Sequence, residues 1–278
     1  MIERILITVK TYPTLSSKYS ELVCTAGVNE NGDWRRIYPV RFRQLQDGTQ
    51  YKKYQWVEAN IEKSTTDRRP ESFKIINPDS LQLIGDPITT HNKWQARKEI
   101  FHKKMPLERD LTSLIASAHA NEQSLAHFQP SEWISFVVKS VDREWDPKKL
   151  TMLDAERRQQ DLFKDEKTLE EEFKVVRKLP YKFSFRLKDI KGKESTMMIE
   201  DWEIGALYWK CLERANGDEK TAVQKVREKY WDTFVKSGKF DTSIVLGTTL
   251  QHHNKKAPNP YVIISVVPTP HEPQQELF

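Results

Sequence analysis

The stretch LVCTAGVNENGDWRRIYPV, residues 22–40, decides how the fold is read. Leu22 to Val28 is a β-rich run. Asn29-Glu30-Asn31-Gly32 then supplies turn chemistry, because Asn and Gly tolerate positive φ. Trp34 to Val40 returns as a second strand, so the stretch predicts a hairpin.

Working outward, Ile5, Ile7 and Val9 alternate with Leu6, Thr8 and Lys10 in a preceding strand, while residues 54–62 and 73–76 (or 81–84) supply a fourth and a fifth. Five short strands with few helices between them predict a small barrel. From 93 to 128 the period changes. Leu107, Leu111, Leu114, Ile115 and Ala118 fall at helical spacing behind Pro106, which predicts helices linking two β units. Residues 133–141, 181–187, 196–199, 243–250 and 261–267 read as five further strands. The expectation is an α+β chain of two small β-barrel (OB-like) units joined and decorated by α-helices. Its parts are a first barrel over 1–92, a helical connector over 93–128, a second barrel over 129–268 with inserted helices at 147–178 and 202–236, and a flexible tail over 269–278.

Forty-five Lys+Arg against 40 Asp+Glu leave a net charge of +5 on 278 residues, so any nucleic-acid argument must come from where the charges cluster. Eight Trp, nine Tyr and twelve Phe supply a packed core despite 31% charged residues. No apolar run approaches the roughly 20 residues that cross a bilayer, and MIERILITVK is too short and too charged for a signal peptide. A cytoplasmic protein with no membrane partner is expected. Cys24 and Cys211 lie far apart and outside any metal-ligand spacing, which predicts no disulfide, no structural metal and no cofactor.

Trp34, Arg35, Arg36, Tyr38, Arg41, Arg43, Lys52 and Lys53 interleave cations with aromatic rings. Cations pair with phosphates, and ring faces stack on unpaired bases. Because strand side chains alternate, Trp34, Arg36 and Tyr38 share one face and Arg35 and Ile37 the other, which predicts an aromatic-cationic face beside a buried one. An oligonucleotide-binding barrel presents such a face. The competing structural reading puts the rings in the barrel core and pairs the arginines with Glu58 or Glu62.

Cys24-Thr25-Ala26-Gly27-Val28, followed by Asn31-Gly32-Asp33-Trp34-Arg35-Arg36 and Tyr38-Pro39-Val40, resembles the opening of the prokaryotic dual OB-containing domain proteins. Arg36 and Pro39 stand further apart than in that pattern.

Other motifs carry weaker chemistry. Arg68 and Arg69 in Thr65-Thr66-Asp67-Arg68-Arg69-Pro70-Glu71 offer paired donors to phosphate, or local ion pairs. Lys255 and Lys256 follow His252 and His253 in a segment read as a loop between two strands. Glu200, Asp201 and Glu203, between a strand and a helix, would hold Mg²⁺ or Mn²⁺ in a nuclease with His252 or His253 as base, or else cap the helix. Gln274-Gln275-Glu276-Leu277-Phe278 resembles a bacterial sliding-clamp-binding motif, with Gln274, Leu277 and Phe278 as contacts behind a proline-rich lead.

Together these point to a nucleic-acid-binding accessory protein of bacterial DNA replication, repair, mobile-element or antiphage defence machinery, with DNA or RNA as partner. A metal-dependent nuclease and a protein–protein adaptor using the charged helix of residues 150–178 are the alternatives.

Overall fold

Strand β1 (Ile2–Lys10) is apolar on both sides because two different layers pack on it. Ile5 and Ile7 enter one core cluster and Leu6 another, as a period of two dictates. A register shift between Ile7 and Val9 flips the parity, so Val9 joins Leu6. The computed structural model describes residues 1–16, 20–40, 42, 50–77, 80–148, 150–151, 155 and 176–271.

The hairpin read over residues 22–40 is present as β3 (Ser20–Asn29) and β4 (Trp34–Val40). Strand β1 pairs with β3 on one side and β5 (Trp56–Lys63) on the other, and β6 (Ser72–Ile75) joins β5 to β4. The ring β1-β3-β4-β6-β5 therefore closes as a five-stranded barrel, in which β4 and β6 make the one parallel pair. Ile5, Ile7, Ile37, Val57, Ile61 and Phe73 pack inside it. Strand β2 (Thr14–Ser16) extends β3, and β7 (Gln82–Ile84) extends β5 outside the ring. Gly27 is required by the closure, since a Cβ there would collide with the Leu6 carbonyl oxygen.

After α1 (His91–Lys104) come β8 (Leu107–Glu108), α2 (Leu111–His119) and β9 (Leu125–Phe128). Two pieces of the expected helical connector are thus strands. Every residue of β9 is buried, so it shows no alternation to mark it as a strand. The five strands expected further on are all present: β10 (Glu132–Ser140), β11 (Tyr181–Lys188), β12 (Glu194–Met198), β13 (Phe240–Thr248) and β14 (Tyr261–Pro270). They divide between a three-stranded sheet, β10-β11-β12, and a four-stranded sheet, β14-β13-β9-β8, linked by a parallel bridge from Ile199 to Ile263. Helix α3 (Trp202–Arg214) is followed by α4 (Glu219–Arg227), which runs on as a π-helical turn, Glu228–Lys236. The segment carrying His252 and His253 is a short helix, α5 (Leu250–Asn254), and not the expected loop, because Thr249 caps it by accepting from the His252 N–H. Most of the charged helix expected over 147–178 lies outside the described residues.

Leu6, Ala26 and Val28 on the outside of the barrel pack against Val245, Val262 and Ile264 of β13 and β14, and against Phe101 of α1 and Met105 just after it. The outer barrel face is therefore an interior seam. Each such aliphatic side chain contributes about 1.5–3 kcal/mol when fully buried, so the barrel and the second half hold each other. Among the described residues no helix is long and apolar enough to cross a membrane.

Candidate nucleic-acid interface

The alternation along β4 runs as expected, with Ile37 inside the barrel, but the opposite face is covered. Arg36 is 1% exposed and donates to Ser124 Oγ at 2.6 Å and to the Ser124 carbonyl at 3.1 Å. Arg69, 5% exposed, donates to Asp67 at 2.9 Å and to the Thr248 carbonyl. Arg35 grips Glu3 through two hydrogen bonds, at 2.7 and 2.8 Å, and stacks over Phe73. The carboxylates expected to hold arginines of β4 are taken by others, Glu58 by Arg4 and Glu62 by Lys74. Trp34 and Tyr38 are half-buried; Lys52, Arg68, Lys255 and Lys256 are exposed. Arg41, Arg43, Gln274, Leu277 and Phe278 lie outside the described residues. Arg36, Lys53 and Arg69 thus hold parts of the chain together, and an alternating pattern could not reveal what lies on the far side of the strand.

The acidic trio is divided. Asp201 is fully buried, where it caps α3 by accepting from Glu203 N and also accepts from Val266 N at 3.0 Å. Lys53 donates to Asp201 at 3.1 Å and to Glu203 at 3.0 Å. Burial works against the Lys53 ammonium, but the two carboxylates more than offset it and hold the group protonated. Burial pushes the Glu200 carboxyl above its ordinary value, with Lys182 as its opposing charge. His252 is exposed, while His253 Nε2 lies 2.9 Å from Asn121 Oδ1 and Nδ1 lies 3.2 Å from Thr248 Oγ1. Among the described residues no three His, Cys, Asp or Glu side chains gather as a metal site.

Burial, and then Arg69 and Arg36, depress the pKa of His253. The unfolded chain therefore binds a proton that the folded chain resists, and stability falls as pH drops below about 6.5 towards the folded value. His253→Gln is expected to flatten the urea-midpoint profile between about pH 7 and 5. An unchanged slope would remove His253 from this role.

The structure does build one aromatic-cationic site, elsewhere. A cavity of about 320 Å³ opens between the barrel and the second half, at the low end of ligand-pocket size. Its barrel-side wall is Tyr54 and Trp94, whose rings meet edge to face at 6.2 Å. The other wall is Phe234 and Phe240, 5.6 Å apart at 77°, with Tyr230 beside them. Arg97 lies 3.7 Å from the Tyr54 ring centroid, fixed by two donations to the Ile88 carbonyl. Lys229 reaches over Phe234, and Glu203 enters from the first turn of α3. Tyr54 and Trp94 both hold left-handed backbone, at φ 64° and 68°. Such conformations cost of order 1 kcal/mol or more in non-glycine residues, and they concentrate at ligand sites. None of these aromatics belongs to the expected face. Tyr54 stood at the start of a strand and Trp94 in a helix, with no signal that they meet.

Residues 1–103 match a family model described as Domain of unknown function (DUF8758), and residues 108–278 match one described as Domain of unknown function (DUF8757). No curated protein matches the chain. The cavity takes Tyr54, Trp94 and Arg97 from the first matched segment and Glu203, Lys229 and Phe234 from the second.

Proposed function

The chain belongs to the family described as Domain of unknown function (DUF8757), a description that carries no activity, and from its own side chains we propose that it binds single-stranded nucleic acid at the cavity between its halves. One observation carries the reading: two edge-to-face aromatic walls, with Arg97 and Lys229 at the same opening and strained backbone under two of the rings. Ring walls take an unstacked base, and cations beside them take its phosphate. A duplex keeps its bases stacked and offers such a cavity nothing. The five-stranded ring with a parallel β4–β6 pair is read as an OB-like barrel, one whose outer face is used for internal packing and whose ligand site has moved to the seam.

The test is fluorescence anisotropy with single-stranded DNA, single-stranded RNA and duplex at low salt, with and without Mg²⁺. Trp94→Ala combined with Phe234→Ala is expected to weaken single-strand binding at least tenfold, from a stacking contribution of about 1–3 kcal/mol per base. Lys229→Ala is expected to lower the salt slope by roughly 1. Unchanged binding in both variants, with folding intact, would move the site away from this cavity.

The C-terminal tail is proposed to join the protein to a sliding clamp through Gln274, Leu277 and Phe278. A peptide of the last ten residues is expected to bind clamp weakly, because ordering it costs conformational entropy. Equal binding by the peptide with Leu277→Ala and Phe278→Ala would end that proposal.

A further inference from the structure

Glu203 is the acidic residue among the aromatic, cationic and aliphatic side chains that line the cavity, and its position is fixed at both its backbone and its carboxylate. Its backbone N–H is held by the Asp201 cap, its Oε2 accepts from Lys53 Nζ at 3.0 Å, and Lys53 is itself anchored on buried Asp201. Lys53 is 8% exposed and the Glu203 side chain 56%, so the ammonium closes the carboxylate from behind and leaves its front to the cavity. A carboxylate accepts only, with about four lone-pair sites on two oxygens. The base edge that complements it carries two adjacent donors. Guanine presents N1–H and the N2 amine side by side on its Watson–Crick edge, whereas adenine, cytosine and uracil each set an acceptor beside their donor.

We infer that the cavity reads its stacked base through Glu203 and selects guanine, with the ring held between the aromatic walls and the phosphate on Lys229 and Arg97. This rests on the nucleic-acid reading above and adds a base preference to it. The Lys53–Asp201–Glu203 chain acquires a role in that reading. Lys53 and Asp201 are positioning residues for the one carboxylate that touches the base, which accounts for a buried charge pair lying directly behind an open polar group.

The test measures affinity for a strand of thymidines carrying one central guanine, adenine, cytosine or inosine, and separately for GMP, IMP, AMP and UMP. The two arms distinguish a base within a strand from a free nucleotide. A guanine preference of about tenfold is expected, equivalent to 1.4 kcal/mol. Inosine, which lacks only the N2 amine, should fall between guanine and adenine. Glu203→Gln should erase the preference, bringing the guanine strand down to the affinity of the adenine strand in the same variant, and Glu203→Asp should retain part of it if the glutamine variant loses stability. Equal affinity for all four central bases, with strand binding intact, overturns the guanine inference and leaves the proposed function standing. Loss of binding to every strand and every nucleotide overturns both.

Discussion

Asp201→Ala is expected to destabilise the protein by about 3–5 kcal/mol, the cost of leaving a buried charge without its partner. Lys53 is 8% exposed, and its remaining carboxylate, Glu203, has a half-exposed side chain. The same change removes the side-chain acceptor of Glu203 N at the start of α3, worth about 1 kcal/mol as a cap, and that of Val266 N in β14. These contacts join the barrel, α3 and the four-stranded sheet, so the loss should appear in one cooperative transition, read as a shift in urea midpoint. Replacing the pair together, Lys53→Met with Asp201→Leu, should recover much of it, because a well-packed apolar pair avoids the desolvation of two charges. A single-variant loss below about 1 kcal/mol would show that Glu203 and water suffice for Lys53, and that the halves are held mainly by the apolar seam of Leu6, Val28, Val262 and Ile264.

How far the sequence disclosed this arrangement depended on distance along the chain. The β3–β4 hairpin is legible because Asn29, Asn31 and Gly32 sit together between a β-rich run and an alternating one. Strand β9 is not, since four consecutive buried residues carry no period, and β8 is two residues long. The N-cap reading of Asp201 was available locally, whereas its ion pair with Lys53 was not, because 148 positions separate the two. Arg36 reads as a phosphate contact for the same reason, whereas for Arg69 the sequence offers either phosphate or a local ion pair, and its pair with Asp67 is the local one. Ser124, the partner of Arg36, lies 88 residues further on, and Thr248, which Arg69 contacts besides Asp67, lies 179 further on; an arginine bound for the interior looks no different in sequence from one bound for solvent. The aromatic cavity was the hardest to see. It combines Tyr54, Trp94, Glu203 and Phe234 from distant segments, and although Glu203 stands out in sequence as part of an acidic trio, nothing local says that it meets these rings.

Arg36→Ala is the variant on which the two views of the β4 face diverge most. If Arg36 contacted phosphate, its removal would weaken binding, reduce the salt slope by about 1 and leave folding untouched. The structure predicts the reverse. A guanidinium 1% exposed is removed from a cluster in which Glu71 accepts from Ser124 N at 2.7 Å and from Leu125 N, Asp67 pairs with Arg69, and Arg36 spans from β4 to Ser124. The carboxylates lose a neighbouring cation, the Ser124 carbonyl loses its Arg36 donor, and the space of a long side chain is left under β9, so a loss of about 3–5 kcal/mol is expected. Arg36→Lys should restore little of it, because one ammonium cannot reproduce two directed donations to Ser124. Ser124→Ala combined with Arg36→Ala should lose less than the sum of the single changes, by roughly 0.5–3 kcal/mol, the coupling expected of side chains in one hydrogen-bonded network. Measured at a temperature where the variant remains folded, its salt slope for single-stranded DNA should equal that of the parent. A lowered slope with an unshifted melting temperature would put Arg36 back on the nucleic-acid face.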